Sequence, residues 1–173
     1  MSLQEKHKYA FRLTSVASTG LDFIGESLMR IMNNATDLAY LRPFYLLLSY
    51  NFELILKSRV VMLGNFSIAV ELKGELQRLG HDIIAIKNEL GNANLQEIGI
   101  KFIAKDKNKY NVLTTDEKEI YIENFTDVRY DFLDGVMRSV DSEEHKRLKE
   151  YTEALLLILK KVKQKNEQDK NKI

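Results

Sequence analysis

The sequence predicts a mainly α protein, an up-and-down bundle of four to five helices with a short β-hairpin inserted near residues 100–123. Three observations lead there. Proline occurs once and glycine eight times in 173 residues, too little turn punctuation for a sandwich or barrel of many short strands. Apolar residues recur at helical spacing over most of the chain. One segment, Pro43 to Leu63, is apolar nearly all round and so demands neighbours on every side.

From Tyr9 to Ala35 the apolar positions Leu13, Val16, Ala17, Leu21, Ile24, Leu28 and Ile31 follow a helical period, with Gly20 and Gly25 as points where the helix could break. A second helix starts close to Pro43, where a missing N–H costs nothing, and ends at Gly64 and Asn65. Ile68 to Leu79 reads as a short helical or irregular segment leading to Gly80. His81 then opens a third amphipathic helix through Ile83, Ile86 and Leu90, up to a break at Gly91-Asn92. Alternation at Ile100, Phe102 and Ala104, and again at Ile120 and Ile122, suggests the hairpin, with polar Lys105 to Asn108 between the two runs. Residues 125–138 look helical. Asp141 and Glu144 form a capping-box-like start to a last helix, whose buried face is Leu148, Tyr151, Leu155, Ile158 and Val162. Past Val162 the chain is almost wholly polar and is expected to fray, giving one domain over 1–166 and a flexible tail over 167–173.

Composition narrows the function classes. Hydrophobic residues at 45% and charged residues at 29% describe a folded chain rather than a disordered one. A net charge of +1 supplies no global pull toward nucleic acid or anionic membranes. The absence of cysteine removes disulfides, thiolate metal sites and cysteine nucleophiles, and it fits a reducing compartment. The first residues lack the basic-then-apolar layout of a signal peptide. Phe44 to Leu63 is interrupted by Asn51, Glu53, Lys57 and Arg59, so neither a leader nor a membrane span is expected and a cytoplasmic location is. No phosphate loop, dinucleotide fingerprint, zinc-protease motif, paired Glu-x-x-His or nucleophile elbow is present, so no cofactor and no metal are expected.

Ser49, Glu53 and Lys57 recur every fourth residue on the apolar second helix, which sets them on one face. They read either as that helix's wet side or as the lining of a polar groove completed by Arg78 and His81. With Asn51-Phe52-Glu53-Leu54-Ile55-Leu56-Lys57, then Gly80-His81-Asp82-Ile83, then Val128-Arg129-Tyr130, roughly residues 40–160 resemble the HEPN superfamily (higher eukaryotes and prokaryotes nucleotide-binding domains). More narrowly, this stretch looks like prokaryotic HEPN-like proteins with a Glu-x-x-x-Lys helix followed by Gly-His-Asp-Leu. The resemblance implies a bundle of four or five helices, often dimeric, in toxin–antitoxin, phage-defence or RNA-processing settings.

Many proteins of that superfamily are metal-independent endoribonucleases, with an arginine followed after roughly four to six residues by a histidine near the start of a late helix. Histidine moves a proton near neutral pH while arginine holds the phosphate. The matching pair here is Arg138 and His145, with Ser139 where the superfamily usually has asparagine and with Asp141, Glu143 and Glu144 between the partners. Carboxylates beside a phosphate site are unfavourable. His81 has two readings, a satisfied structural histidine or a ligand-binding or catalytic one. Arg129 and Tyr130 read as an anchor for a late helix or as a phosphate contact. Two lysine runs, Lys101 to Lys109 and Lys160 to Lys165, read as solvated faces or as tracks for a phosphate backbone, and Tyr110 and Tyr121 as ordinary tyrosines near lysines or as stacking partners for bases. The expected function is a non-catalytic HEPN-like binding or interaction module. Its expected partners are a second copy, an antitoxin or nucleotidyltransferase protein, or RNA. The alternative is an endoribonuclease using Arg138 and His145.

Overall fold

The computed structural model describes residues 1–32, 41–106, 109–114, 117–123 and 142–171. Among these, five helices pack as a bundle that carries one three-stranded antiparallel sheet. The expected helix over 125–138, Asp141 of the capping box, and Arg129, Tyr130 and Arg138 lie outside the described residues.

Helix α1, Leu3–Met32, is continuous through both glycines. A true capping box starts it. Glu5 N–H donates to Ser2 Oγ at 3.2 Å, and Ser2 N–H donates back to the Glu5 carboxylate at 2.7 Å. These hydrogen bonds hold the Glu5 carboxyl below the usual range. Ala10, Thr14, Ala17, Leu21, Ile24 and Leu28 form its buried face.

Helix α2, Arg42–Leu63, has Pro43 in its first turn and stops at Gly64, whose N–H donates to Val60 O at 2.8 Å. Every residue from Asn51 to Met62 is buried. It packs against α1, against helices α4 (Ile83–Glu97) and α5 (Ser142–Lys170), and against strand β3 (Glu119–Glu123). This is the central helix that its all-round apolarity demanded. Helix α3, Ala69–Leu79, is peripheral, burying only Leu72 and Leu79. In α4, Gly91 at φ 71° breaks the helical path where the Gly91-Asn92 pair suggested a break.

The β insertion expected near residues 100–123 is present, as a hairpin extended by a third strand. The two alternating runs are not partners, because a strand between them pairs with both. Strand β1, Ile100–Asp106, pairs with β2, Lys109–Thr114, and β2 pairs with β3. Val112 faces Phe102 on one side and Ile120 on the other. Ile100, Val112, Ile120 and Ile122 turn one face into the core, and Phe102 tilts against Phe52 of α2 with ring centroids 6.4 Å apart.

Past Val162, where the polar sequence suggested fraying, α5 runs on to Lys170. Lys165 pairs with Glu97 at 3.0 Å, while Asn166 and Asp169 bond to Arg59 of α2. Polar side chains extend the helix by meeting a buried arginine rather than by burying apolar area.

Helices α1 and α2 approach closely at Gly20. A Cβ there would come within 2.5 Å of the Asn51 amide, and Asn51 is itself buried. A Cβ at Gly25 meets nothing within 4 Å. Gly25→Ala is therefore expected to raise stability by about 0.5–1 kcal/mol through helix preference alone. Gly20→Ala is expected to lower it, because overpacking at about 1–3 kcal/mol outweighs the same preference. Urea midpoints of the two variants provide the comparison.

Candidate functional site

The polar stripe on α2 is not a wet face. Ser49 is buried, Glu53 is 2% exposed and Lys57 is 8% exposed. A carboxylate and an ammonium withdrawn from water need several hydrogen bonds between them. Lys57 Nζ donates to Glu53 Oε1 at 2.8 Å and to the Gly80 carbonyl at 2.5 Å. His81 Nδ1 lies 2.9 Å from Glu53 Oε2 and 3.2 Å from Oε1. An ionised carboxylate only accepts, so Nδ1 carries the proton and donates. The His81 side chain is itself 45% exposed, so the cluster runs from the core at Glu53 to the surface at His81.

The Gly80-His81-Asp82 step serves this cluster residue by residue. Gly80 adopts φ 52°, ψ −133°, a conformation suited to glycine, and its carbonyl accepts from Lys57. His81 bonds to Glu53. Asp82 is the N-cap of α4, its carboxylate accepting from Ile84 N at 2.8 Å and Ala85 N at 3.2 Å. The α4 helix therefore starts after His81, with Asp82 rather than His81 at its cap. Together the three residues tie the α3–α4 turn to the middle of α2.

Arg78 does not join them. Its guanidinium is 57% exposed and bonds to Glu75 on its own helix and to Glu89 on α4 at 2.9 Å. The pairing holds the Glu75 carboxyl below the usual range. The groove of Ser49, Glu53, Lys57, Arg78 and His81 thus resolves into an internal cluster and a separate surface ion pair.

His145 sits in the first turns of α5, half-buried, with Nε2 3.1 Å from the Leu28 carbonyl of α1. A carbonyl only accepts, so Nε2 carries a proton and acts as a crosslink between α1 and α5. Its proposed partner Arg138 lies outside the described residues. Beside it Glu144 pairs with Arg147 at 3.0 Å and accepts from the Tyr45 phenol. Burial first, then that bond to Glu144, pushes the Tyr45 phenol well above the ordinary value of 10.0. Burial also raises Tyr151.

The lysine runs are partly spoken for. Lys163 Nζ lies 3.3 Å from Ser18 Oγ, and Lys165 pairs with Glu97. Among the described residues no group of three or more His, Asp or Glu side chains could hold a metal ion, and no helix is long and apolar enough to cross a membrane.

Sequence reasoning missed the second buried charge. Arg59 is fully buried on α2, with Nη1 2.7 Å from Asn166 Oδ1 and 2.8 Å from Asp169 Oδ2. Its Nη2 lies 4.0 Å from Glu97 Oε2, and neither Nη2 nor Nε finds a hydrogen-bond acceptor among the described residues. The available signal was an arginine inside an otherwise apolar helix, which implies a partner from elsewhere.

Set against protein-family models, curated proteins and solved structures, the chain matches none of them.

Lys57→Met leaves Glu53 buried with its ammonium partner gone, and a loss of about 3–5 kcal/mol in denaturant unfolding is expected. Adding Glu53→Gln in the same chain should recover part of that loss, because no uncompensated charge remains. The phenol of Tyr45 holds its proton more tightly folded than unfolded. Its contribution is complete below about pH 10 and lost as pH rises toward the folded value. Tyr45→Phe should therefore flatten, and with Tyr151 still present not abolish, the alkaline fall in stability measured between about pH 9 and 11.

Proposed function

We propose that this chain is a non-catalytic, HEPN-like helical binding module. It works in the prokaryotic cytoplasm in a defence, toxin–antitoxin or RNA-related setting. One observation carries the reading. Glu53, Lys57, His81 and the Gly80 carbonyl, which lie within the stretch that resembles the superfamily, are bonded to one another. Groups that could have moved protons or gripped a phosphate instead hold the α3–α4 turn to the bundle. His145 supports the same reading, since one ring nitrogen is engaged by the Leu28 carbonyl and Glu144 stands next to it in the chain. A carboxylate there opposes the approach of a phosphate.

The module's work is then recognition by its surface. The partners that the resemblance favours are a cognate protein of the antitoxin or nucleotidyltransferase kind, or a second copy. RNA is the less favoured partner, because Lys163 and Lys165 are engaged within the protein and the net charge is only +1.

Purified protein incubated with total RNA in EDTA tests this. RNA that stays intact is the expected result. Cleavage that disappears in His145→Ala would overturn the non-catalytic reading in favour of an Arg138–His145 endoribonuclease.

A further inference from the structure

Helix α1 exposes more apolar surface than a bundle helix needs. Phe11 is 59% exposed, Val16 51%, Phe23 57% and Met29 57%. They lie away from the buried face made by Ala10, Ala17, Leu21, Ile24 and Leu28. At 3.6 residues per turn, Phe11 and Met29 fall on one edge of the outer face, about five turns apart. Val16 and Phe23 fall on the other edge, about two turns apart. Between the edges lie Lys8, Arg12, Ser15, Thr19, Asp22, Glu26 and Arg30; Asp22, close to the centre, faces the Ser15 region of a second copy.

The pattern is close to palindromic about Thr19 and Gly20. Phe11 and Met29 stand at almost equal distances on either side of that point, as do Val16 and Phe23, and as do Arg12 and Glu26. An isologous contact requires this, because residue i must meet residue j while j meets i. A two-fold axis perpendicular to two antiparallel helices reverses their order and keeps each edge on its own side. Phe11 then meets Met29 of the second copy, Val16 meets Phe23, and the Arg12–Glu26 attraction is made twice.

We propose that the outer face of α1 is a self-recognition surface, closed by a second copy of this chain packed antiparallel about an axis near Thr19. Ser15 and Thr19 at the crossing are small enough for close approach. The Thr19 hydroxyl already donates to the Ser15 carbonyl at 3.2 Å, so covering it strands no donor. Arg12 stacks over the Tyr9 ring at 5.7 Å, which holds its aliphatic stem against the helix and its charge on this face. Lys8 and Arg30 approach one another at both ends, where water and salt screen them. A strip about 27 Å long and one helix, about 10 Å, wide covers roughly 270 Å², well under the ~800 Å² per partner of a standard interface, so the dimer is weak and reversible.

The proposal deepens the interaction-module reading and rests on it. Sedimentation velocity of the full chain across the micromolar range tests it, with circular dichroism as a check that each variant keeps its helices. The wild-type chain should self-associate and Phe23→Asp should be monomeric. Arg12→Glu and Glu26→Arg should each weaken association by roughly tenfold, and the double reversal should restore it. A chain that is monomeric at every concentration, or a dimer indifferent to Phe23→Asp and to both reversals, overturns the proposal. A monomer that leaves RNA intact would remove the dimer and spare the module.

Discussion

Between Asn51 and Met62 helix α2 has no side open to water, so each polar group it carries must be matched inside the protein. Ser58 is matched within the helix, donating to the Ile55 carbonyl at 2.7 Å, and the other four polar residues address different neighbours. Asn51 fits against Gly20 of α1. Glu53 and Lys57 reach the α3–α4 turn at Gly80 and His81. Arg59 reaches Asn166 and Asp169 near the end of α5. Apolar packing around a uniformly greasy helix would tolerate several rotations and slides of its neighbours. Polar contacts at fixed points along α2 allow one arrangement, at some cost in stability.

The three contacts differ in how well they are satisfied. Glu53, Lys57 and His81 form a connected set with a backbone carbonyl included. Arg59 keeps Nε and Nη2 without acceptors among the described residues, and so does the Asn51 side-chain nitrogen. Orphaned donors in a buried site cost about 1–3 kcal/mol each relative to paired ones. The Glu53 cluster is therefore the more completely bonded of the two, and the Arg59 site carries the larger cost in unpaired donors.

Much of the architecture was legible. The central place of α2 followed from its apolar circumference, and the buried face of α5 at Leu148, Tyr151, Leu155, Ile158 and Val162 followed from its period. Strand β2 was harder to see. Among its described side chains Val112 is the apolar one in the core, and a short strand of mixed residues between two alternating ones has a weak signature. The end of α5 was also opaque, because Asn166 and Asp169 look like solvent residues until Arg59 is placed opposite them.

The candidate site divides in the same way. By itself the sequence determined that Ser49, Glu53 and Lys57 share a face, since the helical period alone dictates that. It also determined that Gly80-His81-Asp82 lies at the start of a helix, because Asp is a capping residue and glycine a terminator. Only the tertiary structure decided that this face is dry, that Lys57 spends its protons on Glu53 and Gly80, that His81 joins them and that Arg78 does not. Local sequence encodes which side chains point together. Burial depends on what the other helices bring to that side, and those come from residues far away in the chain.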